Sequence, residues 1–201
     1  MNYNPELLWK SVDVIVVICW LLFGLPFFLR KRLPRAEKKK RDLNSWLGII
    51  IVAAGIGIVW SFRRHEFTPF IRMNDTLDIL AAVLAIILAM GSRAIVMVSI
   101  KTLGKQWNVE ATLVEGHRLV TEGIYSYLRN PIYAGMIGMT IATGIAFSKI
   151  IPLAIGTLLA WYGTMLRIRS EENLLRSAFG ESFDEYRRKV PALFPKLWGR
   201  G

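Results

Sequence analysis

Apolar residues gather in five runs, and most polar and charged residues lie between them. Residues 12–29 are apolar except for Asp13 at the edge. Residues 46–62 are rich in small side chains, with Ala53, Ala54, Gly55 and Gly57. Residues 77–100 are interrupted by Asp78 near the start and Arg93 nearer the end. Residues 133–147 form a short run studded with Gly135, Gly138 and Gly144, and residues 150–166 form the fifth. A helix that crosses a bilayer needs roughly 20 apolar residues, with a range of about 17–25. The first, third and fifth runs meet that length, and the second is marginal. The fourth is short alone, but Ser148 and Lys149 leave little room for a loop, so runs four and five predict a helical hairpin. Soluble helices keep a polar face, and these runs do not. The pattern predicts an all-α polytopic membrane protein of about five transmembrane helices, whose small residues allow close helix approach.

Composition agrees with this reading. The 201 residues are 53% hydrophobic, above the roughly 45–50% usual for soluble domains, and the mean hydropathy is +0.38. The formal charge is +11, from 26 basic and 15 acidic residues. Beside such apolar runs a basic balance points to anionic membrane lipids as partners and away from nucleic acid. Cys19 is the single cysteine, which excludes an internal disulfide, and with only His65 and His117 no metal site is expected. The first run ends in a basic block where a signal peptide would have a small-residue cleavage site, so no cleavable signal is expected. That block, 30–41, holds eight basic residues against Glu37. Positive-inside counting makes it cytoplasmic. The N-terminus is then outside, and residues 101–131 and the tail after Leu166 are cytoplasmic. The expected outer connections are 63–76 and the Ser148-Lys149 turn. Chemistry is expected on the cytoplasmic face.

Two polar stretches carry the candidate chemistry. The first is LGKQWNVEATLVEGHRLVTEGIYSYLRNPIY, residues 103–133. Its β-branched residues and glycines predict turns and short extended pieces, with Gly116 and Gly123 suited to positive φ. Pro131 disfavours helix at Asn130 and suits the first turn of the fourth helix. Arg129 and Asn130 then sit at a helix N-terminus, where backbone N–H groups bind anions. Tyr125, Tyr127 and Tyr133 are either a pocket wall or an interfacial aromatic belt beside a snorkelling arginine. The second stretch is MLRIRSEENLLRSAFGESFDEYRRKVPALFPKLW. Arg167 and Glu171 are spaced i, i+4 and share a helix face, in the weaker orientation for helix stabilisation. An ionisable pair at the inner end of a span is a site candidate, against the plainer reading of a solvated surface pair. Glu172, rotated by about 100°, is expected to face water. The basic, amphipathic remainder either lies on the membrane surface or folds over the polar loop as a lid.

Taken together, these stretches resemble the isoprenylcysteine carboxyl methyltransferase family, within the broader group that includes phospholipid methyltransferases. The resemblance covers residues 103–198. It rests on GHRLVTEGIYSYLRNPIYAG followed by RSEENLLRSAFGESFDEYRRKVPALFP. It implies S-adenosyl-L-methionine as methyl donor, enclosed by the polar loop and the C-terminal segment. No strand followed by a G-x-G-x-x-G turn is present for a soluble nucleotide fold. By the same resemblance, His117, Arg118, Leu119, Val120, Tyr125, Asn130, Pro131, Ile132, Tyr133 and Glu171 contact the cofactor. Arg167 holds the methyl acceptor, a lipophilic small molecule or prenylated chain, and Arg167 and Glu171 are the catalytic candidates. The expected organisation is residues 1–102 as three spans with the basic loop, and 103–201 as the methyltransferase core.

The chemistry of the parts fits that implication. The cofactor's amino group wants a carboxylate such as Glu171, and its adenine wants apolar and aromatic walls. A lipophilic acceptor can enter sideways from the bilayer. Transfer is an in-line displacement at a methyl carbon, so alignment and dryness carry most of the catalysis. The family often shows R-H-P where this chain has Arg129, Asn130 and Pro131. Asparagine hydrogen-bonds but does not titrate near neutral pH, which excludes an imidazole base there. An isoprenylcysteine carboxylate needs orientation and no base. A phospholipid amine, as in phosphatidylethanolamine N-methylation, asks Glu171 or Glu172 to accept a proton. The rival classes are a non-catalytic lipid-binding membrane protein and an enzyme of the same architecture with another cofactor.

Overall fold

The structure, a computed structural model, describes residues 3–29, 43–71, 74–107 and 118–194. Among these the chain forms six α-helices: α1 Pro5–Leu29, α2 Leu43–Ser61, α3 Asp75–Leu103, α4 Pro131–Phe147, α5 Ile150–Phe179 and α6 Glu181–Lys189. Two short 3-10 turns, Gly104–Gln106 and Gly123–Ser126, flank the loop before α4. The chain is an all-α polytopic membrane protein. α1, α2, α3 and α5 are long and apolar enough to cross a membrane, and α4, with 17 residues, is a shorter apolar helix. The basic block 30–41 lies outside the described residues.

The expected hairpin of α4 and α5 forms, but each helix packs more extensively on an earlier one. α5 lies along α2, and α3 lies along α4, which sits centrally and also touches α1 and α2. The reason is backbone contact at glycine. A Cβ on Gly55 of α2 would lie 2.5 Å from the carbonyl oxygen of Gly156 on α5, and one on Gly48 would lie 2.7 Å from that of Gly163. Gly135 of α4 similarly brings the backbone against Ser92 of α3, with a Cβ placed 2.9 Å from its carbonyl oxygen. Apolar association adds little between helices in lipid, so such close packing is what holds them.

The largest apolar cluster joins Trp9, Val12, Val16, Cys19 and Phe23 of α1 to Ala81, Ala82, Ala85 and Ala89 of α3 and to Met139 and Ala142 of α4. Leu21, Phe28, Leu80, Ile87 and Leu158 point outward, as a lipid-facing surface requires. Asp78 does not break its span. It is fully buried and accepts hydrogen bonds from Trp9 Nε1 at 2.8 Å, from the Tyr3 hydroxyl and from the Ile71 amide.

Chain alternation puts the helix ends in two sets. At one end Arg64 donates to the carbonyls of Ile145, Ala146 and Ser148, at 2.9, 2.8 and 2.8 Å, and so caps α4. There residues 62–64 and 147–149 pair through their backbones. At the other end lie the N-terminus of α4 and the polar half of α5. Thirty residues at about 1.5 Å each make α5 about 45 Å long. It exceeds the roughly 30 Å hydrocarbon core, and its charged end is a rigid continuation of the span.

Candidate functional site

Pro131 opens α4 as expected. It occupies the first turn, where its missing N–H is not needed, and Asn130 before it is non-helical, at φ −129°. Gly123 takes φ +60°, which allows the tight turn Gly123–Ser126. That turn sends Tyr125 inward and leaves Tyr127 55% exposed. Tyr127 thus points away from the packed interior, whereas Tyr125 and Tyr133 are buried.

Tyr133, Arg167 and Glu171 form one hydrogen-bonded cluster. Arg167 Nε donates to the Tyr133 hydroxyl at 2.6 Å, and Nη2 donates to Glu171 Oε1 at 3.0 Å. The Tyr133 hydroxyl donates in turn to the same Oε1. The guanidinium carbon lies 5.5 Å from the centre of the Tyr133 ring. The Arg167 side chain is 8% exposed and that of Glu171 26%. A cation is thus held beneath a carboxylate that still reaches the surface, with a tyrosine hydroxyl bridging the two. Glycine on α2 makes room for this arrangement, since a Cβ on Gly48 would lie 2.7 Å from Arg167 Cγ.

Glu172 does not face water. It is paired with Arg129, 2.8 Å from Nη2 and 2.9 Å from Nε, and both side chains are nearly buried, at 12% and 10% exposed. Asn130 Nδ2 donates to the same oxygen at 3.2 Å. A rotation of 100° from Glu171 points towards water only if nothing covers that face. Here the C-terminal segment covers it.

That segment takes the second of its two expected forms and folds over the polar loop. Gly180, at φ +53°, turns the chain from α5 into α6. Phe183, Tyr186 and Val190 then pack with Leu119, Leu175 and Phe179. The Tyr186 hydroxyl donates to the Tyr125 carbonyl at 2.6 Å. Burial pushes the hydroxyls of both Tyr125 and Tyr186 above the usual tyrosine range, so both stay protonated donors. The amides of Arg129 and Asn130 donate to the carbonyls of Pro191 and Ala192 at 2.9 and 3.0 Å. These two N–H groups hold the strap and are not offered to an anion. Arg129 Nη1 also donates to the carbonyls of Arg187 and Val190. Beyond them Leu193 packs with Tyr133, Ile137 and Ile168, and Phe194 stacks on Trp161.

The other expected site residues are spread around this cluster. Val120 is buried, and Leu119 packs beneath α6. Pro131 is fully buried. Ile132 packs against the cluster of α1, α3 and α4. The Arg118 side chain is 68% exposed and pairs with Glu122 at 2.7 Å, while its amide donates to Gln106 Oε1. His117 and Gly116 lie outside the described residues. The residues that sequence reading undervalued are Glu172 and Arg129. Adjacent acids on one helix and an arginine before Asn-Pro were visible, but the pairing joins positions 43 apart in the chain.

Residues 82–177, just under half of the chain, match the isoprenylcysteine carboxyl methyltransferase (ICMT) family. Among curated proteins, the chain is 38% identical to the protein-S-isoprenylcysteine O-methyltransferase of Schizosaccharomyces pombe over 81 residues, 40% of this chain and 34% of that one. It is 32% identical to the Xenopus laevis enzyme of the same name over 120 residues, 59% of this chain and 42% of that one. It is also 37% identical to the cobalt-zinc-cadmium resistance protein CzcN of Cupriavidus metallidurans over 108 residues, 50% of this chain and 46% of that one. The aligned parts thus span less than half the length of each of these relatives. The stretch that carries Tyr133, Arg167 and Glu171 lies inside the match to the isoprenylcysteine carboxyl methyltransferase family, the same family that the sequence motifs resemble.

Proposed function

We propose that the protein is an S-adenosyl-L-methionine-dependent membrane methyltransferase that esterifies the carboxylate of an isoprenylcysteine-like lipophilic acceptor at the cytoplasmic face. The observation that carries this reading is the cluster of Tyr133, Arg167 and Glu171 under a folded C-terminal strap, at the end of a spanning helix and within the family match.

The residues present fit the cofactor by their chemistry. The Glu171 carboxylate is held on one oxygen by Tyr133 and Arg167 yet is partly exposed, which suits an ammonium group. Leu119, Val120 and Tyr125 supply apolar and aromatic surface for an adenine. Asn130 supplies an amide, His117 and Arg118 complete the proposed contact set, and Pro131 and Ile132, packed in the turn and against α1 and α3, hold that wall in place. When bound, the cofactor supplies an electrophilic methyl on its sulfonium.

The chain's own work is orientation and exclusion of water. Arg167 is fixed by donating to Tyr133 and Glu171, and it sits at the membrane end of the site, where it would align an acceptor carboxylate. That carboxylate is already ionised at neutral pH, so no residue has to remove a proton, in keeping with Asn130 where an imidazole is frequent. The strap of residues 190–194 covers the site and keeps water from competing. Residues 1–102 serve as the membrane frame and 103–201 as the catalytic part, with the N-terminus outside.

The test is calorimetric binding of S-adenosylhomocysteine to detergent-purified protein, beside a methyl-transfer assay with a small prenylcysteine and with phosphatidylethanolamine. Saturable binding with base-labile methyl ester formed on the prenylcysteine is expected. Transfer to the amine lipid alone would replace the acceptor and require Glu171 or Glu172 to act as base. Absence of binding would remove the methyltransferase reading in favour of a lipid-binding membrane protein.

A further inference from the structure

Arg93 is a cation inside a spanning helix, distant in sequence from the site elements. Measured along α3 at about 1.5 Å per residue, Lys101 lies about 12 Å beyond it and Asp78 about 22 Å before it. Asp78 and Lys101 are thus about 34 Å apart, close to the roughly 30 Å of a hydrocarbon core. Arg93 falls in the inner half of that core. It is half-buried, and its charge reaches Cys19 on α1. Its Nε is fully enclosed without a hydrogen-bond partner, and among the described residues no carboxylate is within ion-pairing distance of its guanidinium.

The other charged side chains noted inside the apolar runs have countercharge or hydrogen bonds within reach. Asp78 takes three hydrogen bonds, and Asp13, whose Oδ1 is also enclosed without a hydrogen-bond partner, differs in lying at the end that carries Arg63 and Arg64, whose charges reach it. A guanidinium in lipid without a partner is costly, and such residues pair with an anion or reach the interface. Arginine also matches phosphate better than lysine does, because its fork donates two parallel hydrogen bonds. Among the described residues no carboxylate pairs with Arg93, and the outer side of α1 is open to lipid. Phe28 and Leu29 at the inner end of α1 are 87% and 72% exposed. The sequence after Leu29 carries eight basic residues in 30–41, and such a run enriches anionic lipid at that leaflet.

We propose that Arg93 is a binding site for one anionic phospholipid, whose phosphate it draws in alongside α1 and α3 from the inner leaflet. This site is separate from the methyl-transfer site, and only its assignment to the inner leaflet rests on the orientation proposed above.

The test uses full-length protein exchanged into neutral detergent, with phosphatidylglycerol or phosphatidylcholine added back. Native mass spectrometry counts retained lipid, and thermal unfolding reports stabilisation, both at 0.5 M salt. That salt screens the exposed basic block far more than an intramembrane arginine. The expected result is one retained phosphatidylglycerol and a rise in Tm of several degrees, with little effect of phosphatidylcholine. Arg93→Leu should lose the retained lipid and the rise in Tm while binding S-adenosylhomocysteine as the parent does. Replacing Lys38, Lys39 and Lys40 by glutamine should leave the retained lipid in place. Retention by Arg93→Leu equal to the parent, or loss in the triple glutamine variant alone, would overturn the proposal. If Arg93→Leu does not fold, the parent decides: no selective retention and no selective rise in Tm overturns it. Arg93→Gln, which keeps polarity but not charge, should also lose the lipid, and its retention there would have the same force.

Discussion

Substituting Gly55 by alanine tests the close contact of α2 with α5, on which the position of Arg167 depends. The new Cβ would lie 2.5 Å from the Gly156 carbonyl oxygen and 2.8 Å from the Ala160 amide nitrogen. Both are helix backbone atoms, so no side chain can swing aside. Restoring ordinary contact requires the two helices to part by close to 1 Å. A gap of that size forfeits roughly a quarter to a half of each dispersion contact along the seam, and overpacked sites typically lose about 1–3 kcal/mol. Alanine recovers about 0.5–1 kcal/mol over glycine inside a helix. The net expectation for Gly55→Ala is a loss of about 0–2.5 kcal/mol. Gly57 lies on the same helix with nothing within 4 Å of its would-be Cβ, so Gly57→Ala should be neutral or slightly stabilising. The assay is reversible unfolding in mixed detergent micelles, followed by circular dichroism and Trp fluorescence, with both variants side by side. Equal stability of the two variants would refute the reasoning, because it would mean the helices do not meet at backbone distance.

Three further outcomes are expected. Glu171→Gln should weaken S-adenosylhomocysteine binding by about 10- to 150-fold, the value of a charge-assisted hydrogen bond of roughly 1.5–3 kcal/mol, whereas Arg167→Ala should leave it within about threefold and cut methyl transfer at least tenfold; calorimetry beside the transfer assay checks both, and equal affinity losses would contradict the proposed roles. Glu172→Gln leaves Arg129 nearly buried and uncompensated, a change that costs about 3–5 kcal/mol at fully buried pairs, so limited trypsin cleavage at Arg187, Arg188 or Lys189 should speed up at least tenfold, and unchanged protection would mean the strap is held by Phe183, Tyr186 and Leu193 alone. A cysteine placed at Ser126 should resist an impermeant reagent added outside sealed right-side-out membranes, and its labelling there would reverse the proposed orientation.

The five apolar runs and the all-α membrane class were legible in the sequence because lipid contact leaves a one-dimensional trace. A helix exposed to lipid must be apolar all round, so composition along the chain suffices. Pro131 and Gly123 were legible for a similar reason, since a missing N–H and a positive φ are properties of a single residue. The facing of Arg167 and Glu171 followed from helical spacing, which is local as well. Tertiary structure decided everything that depends on what covers a surface. Glu172 was expected in water because its own helix leaves it there, and it is buried because residues 181–194 fold back and Arg129 arrives from across the loop. Tyr133 joins Arg167 to Glu171 only because α4 ends and α5 begins at the same turn, so the two run antiparallel and the start of α4 lies beside the far half of α5. The dominance of the α2–α5 and α3–α4 contacts over the α4–α5 hairpin was also hidden. Gly48, Gly55, Gly156 and Gly163 were each visible, but which glycine meets which backbone is fixed by the three-dimensional register of helices that lie about a hundred residues apart in the chain.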